Sequence, residues 1–161
     1  MRVIQVGVGG FGRTWLGRIQ RDRTASLVAL ADVSEEALRR AREETGLTAS
    51  RCFTDFRVAF DTAEADAVLN ATPPAVHHEV ALAALERGLH VLTEKPIADD
   101  MEHGRQMVEA AEGAGRTLMV SQNYRFRPWA RTMRQLLLSG RFGPPDNLSV
   151  CFAKSVQFDG S

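Results

Sequence analysis

The chain has 161 residues, 44% hydrophobic and 25% charged, with 20 Lys and Arg against 20 Asp and Glu. A domain near this size buries roughly 70% of the surface its unfolded chain exposes, so a substantial core is expected. Zero formal charge removes the electrostatic footprint of a nucleic-acid or anionic-membrane binder, two cysteines without ligand spacing make neither a disulfide scaffold nor a zinc site, and no apolar run approaches a bilayer span.

The opening "MRVIQVGVGG" has no charged region ahead of an apolar one, and a cytoplasmic location is expected. "RVIQVGV" (2–8) reads as a buried strand, and "FGRTWLGRIQRD" follows as a helix with Trp15, Leu16 and Ile19 on one face. "SLVALAD" (26–32) is a second strand. Ser34 then caps a helix whose first turn carries Glu35 and Glu36 and whose stop is Gly46. "RCFTDF" is a weak third strand before a short helix, and "DAVLNAT" (66–72) is a fourth strand. "AVHHEVALAALERG" places Val76, Val80 and Ala83 on one helical face, with Gly88 as its stop. "LHVLTE" (89–94) is a fifth strand, Asp99 with Glu102 forms a capping box for a helix ending near Gly115, and "RTLMVSQ" (116–122) is a sixth strand. Apolar strands alternating with helices predict an α/β fold, a doubly wound parallel sheet of the Rossmann kind. Ligands in such sheets bind beyond the carboxyl ends of the strands.

"GVGGFG" matches G-x-G-x-x-G through Gly7, Gly9 and Gly12, between a predicted strand and a predicted helix. Asp32 ends the next strand, 20 residues past Gly12. Gly7 permits the tight turn, Gly9 admits a pyrophosphate against the backbone, and Gly12 allows close helix–strand packing. Gly10, Phe11 and Arg13 complete the loop expected to touch a dinucleotide, and Asp32 is expected to accept from the adenosine ribose. Asp32 also favours NAD over NADP. A unit-charge repulsion at ~4 Å costs roughly 4 kcal/mol at an effective dielectric of 20, and a third of that is about tenfold in affinity. No arginine neighbours Asp32 in "ADVSEE" to offset it.

"GVGGFG", "NATPPAVHHEVALAALERGLHVLTEKPIA" (70–98) and "VSQNYRFRP" (120–128) together resemble the N-terminal half of the Gfo/Idh/MocA family, which includes glucose-fructose oxidoreductases and inositol dehydrogenases. The resemblance implies an NAD(P)-dependent oxidoreductase acting on a sugar or polyol. It implies that Lys95 hydrogen-bonds the hydroxyl that becomes a carbonyl and that Glu94 faces the nicotinamide ribose. It implies that Pro96 follows a peptide that is often cis in the family, that Thr72 and Pro73 line the nicotinamide-ribose site, that His77 matches the family histidine, and that Asn123 sits near the nicotinamide. It also implies a dinucleotide domain over 1–123, and over 124–161 a linker helix and the first strand of a second domain. No metal ligand set is expected: His77 and His78 are adjacent and point apart. "YRFRPWAR" (124–131) is expected to serve packing and a cleft rim rather than nucleic-acid stacking.

Family members are longer, with a second domain that supplies sugar contacts, a proton-transfer histidine and an oligomer interface. "NLSVCFAKSVQF" (147–158) alternates apolar and polar residues as a half-buried strand whose sheet the preceding residues do not provide. A fragment of a full dehydrogenase, a homo-oligomer formed by strand pairing, and irregular packing on the nucleotide domain all remain open. A rival to the enzyme is a non-enzymatic NAD(H)-binding module.

Overall fold

The structure is a computed structural model and describes residues 1–147 and 149. The strand expected over 147–158 falls outside them, save Asn147 and Ser149, which belong to no element. Six strands form one parallel sheet: β1 (Arg2–Val6), β2 (Ser26–Ala31), β3 (Cys52–Phe53), β4 (Ala67–Asn70), β5 (His90–Thr93) and β6 (Leu118–Val120), in the order β3-β2-β1-β4-β5-β6. The order reverses direction at β1, which pairs with both β2 and β4. That is the switch point at which doubly wound sheets open a crevice.

Alternation along the strands sorts two apolar faces. Val8, Leu16, Leu30, Leu38 and Ala41 pack under α1 (Arg13–Arg21) and α2 (Glu35–Thr45). Ile4, Ala29, Val68, Val80, Leu85, Val91 and Met107 belong to the cluster under α3 (Phe56–Thr62), α4 (Pro74–Glu86) and α5 (Met101–Ala114). All four β4 residues are buried, as expected for a central parallel strand.

Ser34 caps α2 by accepting from the Ala37 amide, and Gly46 ends it in the left-handed region. At α5 the cap falls one residue later than the sequence predicts. Asp100, in extended conformation, accepts from His103 N, so Asp100 replaces Asp99 as the cap and the expected box with Glu102 does not form. Asp99 instead accepts from His103 Nδ1 at 2.7 Å, which lowers the Asp99 pKa and raises that of His103. The third and sixth strands are shorter than predicted, and a 3-10 turn over Gly10–Gly12 precedes α1.

Asp66, just before β4, takes the Arg2 backbone amide at 2.6 Å and the Arg2 guanidinium at 2.9 Å. These bonds bring its carboxyl down to about 2. A lowered folded-state pKa contributes stability that is present above the unfolded value and lost as pH falls through the folded one. The expected result is a component of acid destabilisation between about pH 4 and pH 2. It should be missing in Asp66→Asn when denaturant midpoints of both proteins are compared across that window.

Residues Met1–Gln122 form one compact unit and Asn123–Ser161 a second. The described part of the second contains a 3-10 turn over Asn123–Phe126 and the helix α6 (Pro128–Leu138). Within it Arg127 stacks over Tyr124 and Arg125 over Phe126.

Candidate functional site

One row of backbone hydrogen bonds aligns the carboxyl ends of the strands. Asp32 N donates to Phe53 O, Gly7 N to Ala31 O, Ala71 N to Val6 O, Glu94 N to Asn70 O and Ser121 N to Thr93 O. The chemistry-bearing residues therefore leave the sheet along a common edge.

Gly7 turns the chain at φ +85°, and a Cβ there would lie 2.6 Å from Ala71 O. At Gly12 a Cβ would overlap Gly7 O, so helix α1 approaches the loop as closely as its backbone allows. Buried Gln5 secures this contact, its amide donating to Gly7 O at 2.9 Å and to Gly12 O at 2.8 Å. Gly9, Gly10 and Phe11 are exposed, and a Cβ on Gly10 would meet nothing within 4 Å. The first turn of α1 carries no acidic residue. The loop thus offers space, backbone amides and the positive end of a helix, which suits a pyrophosphate.

Asp32 is fixed by three amides: Val8 N at 2.8 Å and Gly9 N at 3.2 Å on Oδ2, and Ser34 N at 2.9 Å on Oδ1. It shares with Gly7, Gly9, Gly10, Phe11, Thr72 and Pro73 the wall of a cavity of about 730 Å³. A site of this size, apolar with few polar groups, suits an organic cofactor. Beside the strand-end residues Val6, Ala31 and Ala71, the wall includes Val33, Thr54, Phe56, Val76 and Glu79. Sequence reasoning missed these five as site residues. Each follows a strand end or lies in the first turns of the next helix, a positional signal that was available. Glu79 is paired with Arg57.

Other expected residues lie elsewhere. Arg13 does not turn to the loop: its Nε bonds Glu44 on α2 at 2.8 Å. Gly12 is buried beneath the loop. His77 is fully buried in α4, with Nδ1 2.8 Å from Pro96 O and Nε2 2.8 Å from Thr72 O. Glu94 is 8% exposed. Its Oε1 accepts from Trp15 Nε1 at 2.8 Å and its Oε2 from Lys95 N at 3.1 Å. The helical pattern shows Trp15 only as part of a core face; its indole N–H, a donor that needs a partner when half-buried, is the sequence signal for this bond. Lys95 itself is exposed, and its peptide to Pro96 is cis. Asn123 opens the second unit. No described helix is long and apolar enough to cross a membrane.

Residues 1–122 match the Gfo/Idh/MocA family, described as an oxidoreductase family with an NAD-binding Rossmann fold. Inositol 2-dehydrogenase 4 of Saccharopolyspora erythraea is 37% identical over 147 residues, 90% of this chain and 43% of that protein. The WlbA dehydrogenase of Bordetella pertussis, solved in complex with NADH and UDP-GlcNAcA, superposes with a TM-score of 0.81 at 34% identity, over 88% of this chain and 43% of its own. The scyllo-inositol dehydrogenase of Lactobacillus casei, solved with NAD(H) and scyllo-inositol, gives 0.82 at 28% identity, over 89% and 42%. This chain therefore spans less than half the length of these relatives. With its β3-β2-β1-β4-β5-β6 sheet, glycine loop and family match over residues 1–122, the chain belongs to the Gfo/Idh/MocA oxidoreductases and carries their NAD-binding Rossmann domain.

Proposed function

We propose that the chain forms the cofactor half of an oxidoreductase that moves a hydride between NAD and the carbinol carbon of a small sugar or polyol in the cytoplasm. The observation that carries this reading is the pairing, on one sheet edge, of the Asp32 cavity with an exposed Lys95. The relatives named for inositol, and the solved neighbour holding scyllo-inositol, support the substrate class.

When bound, NAD supplies the hydride acceptor. The amides of Gly10 and Phe11 would hold the pyrophosphate, and Asp32, which already takes the Gly9 amide, would hold the adenosine ribose. Val33, Thr54, Phe56, Val76 and Glu79 wall the same cavity, and Thr72 and Pro73 would bound the nicotinamide ribose. Lys95, exposed to water, would hydrogen-bond the reacting hydroxyl and stabilise the negative charge on its oxygen while the proton passes to solvent and the hydride to NAD. Glu94 fixes the Lys95 backbone and is itself fixed by Trp15.

The test is calorimetric titration of the 161-residue protein with NAD⁺ and NADP⁺, beside Asp32→Ala. Saturable binding that prefers NAD⁺ by about tenfold or more is expected, with the preference abolished in the variant. Absence of binding by either cofactor sinks the proposal. Binding without turnover of any sugar or polyol leaves the NAD(H)-binding module as the reading.

A further inference from the structure

His77 joins two loops. One ring nitrogen meets the carbonyl oxygen of Thr72, on the cavity wall, and the other meets that of Pro96, next to Lys95. Its own carbonyl accepts from Asn70 Nδ2 at 3.1 Å, and Asn70 Oδ1 accepts from the Thr72 hydroxyl at 2.6 Å. Asn70 and His77 are both fully buried.

Donor counting bears on the state of the ring. Carbonyl oxygens only accept, and a neutral imidazole carries a single N–H. At 2.8 Å on both sides, a neutral ring would set one bare nitrogen lone pair against an oxygen lone pair. Only the imidazolium donates from both nitrogens. Burying a cation is costly, and two charge-assisted hydrogen bonds oppose that cost. The charged and titratable groups on the elements around it are Glu94 and Lys95 before Pro96, Asp99, Asp100, Glu102 and His103 at the start of α5, Arg57 and Asp61 on α3, and His78, Glu79 and Glu86 on its own helix. Of the carboxylates among them, only Glu94 is buried.

We propose that His77 is a positioning residue, a doubly donating imidazolium that fixes the Thr72 wall of the cofactor cleft relative to the Lys95–Pro96 step. The inference rests on the proposed function for its bearing on Lys95; the state of the ring does not.

The first measurement is the side-chain nitrogen spectrum of the ¹⁵N-labelled 161-residue protein near neutral pH. The His77 signals are assigned by elimination with His78→Gln, His90→Gln and His103→Gln. Two protonated ring nitrogens are expected, and one bare nitrogen overturns the proposal. The second is NAD⁺ affinity in His77→Gln, whose amide offers a donor at one end only. A loss of about tenfold, as for one hydrogen bond to a charged group, is expected. Unchanged affinity in a folded variant also overturns it. Where that variant does not fold, the wild-type spectrum decides alone. Failure of the wild type to bind NAD⁺ counts against the proposed function and leaves the spectrum to judge the clip.

Discussion

On the proposed function, replacing Lys95 by alanine in the full-length enzyme should lower turnover of the sugar or polyol by about 10²–10⁴-fold, the range typical of a side chain that assists proton transfer. Lys95 is exposed, lies outside the wall of the nucleotide cavity, and makes no ion pair among the described residues. Its loss therefore leaves the fold and the cofactor cleft intact, and NAD⁺ affinity is expected to stay within about twofold, a difference of less than 0.5 kcal/mol. Steady-state reduction of NAD⁺ at saturating polyol, with a parallel cofactor titration, separates the two effects. Lys95→Arg is expected to recover little, because a planar guanidinium cannot place a point charge where the ammonium stood. A drop in turnover of less than about threefold, worth under 1 kcal/mol of barrier, would remove Lys95 from the mechanism.

Gly12→Val should abolish cofactor binding and destabilise the domain by roughly 2–5 kcal/mol. The first added carbon overlaps Gly7 O and comes within 3.4 Å of the Ala71 side chain. Gly7 cannot retreat, because its left-handed turn is wedged against Ala71 and its oxygen is held by Gln5. Moving α1 away would break both Gln5 bonds and leave a buried amide unsatisfied. Denaturant midpoints and NAD⁺ titration measure the two consequences. Gly113→Ala in α5 is the control: nothing lies within 4 Å of a Cβ there. The ordinary helix propensity difference predicts a gain of up to about 1 kcal/mol. A Gly12→Val protein as stable as wild type would show that the loop relaxes where its contacts say it is fixed.

What was legible in the sequence was local or evenly spaced. Gly7, Gly9 and Gly12 lie within six residues, and Asp32 stands one crossover unit away, so spacing alone brought them to the switch point. Ser34 and Gly46 were readable because each acts on its own helix end. The cap of α5 slipped by one residue because Asp99 and Asp100 are chemically alike and only backbone conformation chooses between them. The cavity wall was harder: Val33, Thr54, Phe56, Val76 and Glu79 come from three successive crossovers, and only strand order makes them neighbours. The Arg13–Glu44 bond joins residues 31 apart on adjacent helices and has no local signature. The Trp15–Glu94 bond spans 79 residues and had no periodic signature.

The exposure of Lys95 has a chemical consequence. Of the 20 Lys and Arg residues only Lys95 and Lys154 are lysines, and Lys154 lies outside the described residues. Guanidinium groups stay protonated and resist acylation where an amine reacts. Among the described residues, an amine-selective reagent thus finds the terminal amino group, which donates to Thr24 O at the opposite end of β1, and one side chain. Among the described residues the single side-chain mark would fall where the proposed substrate arrives.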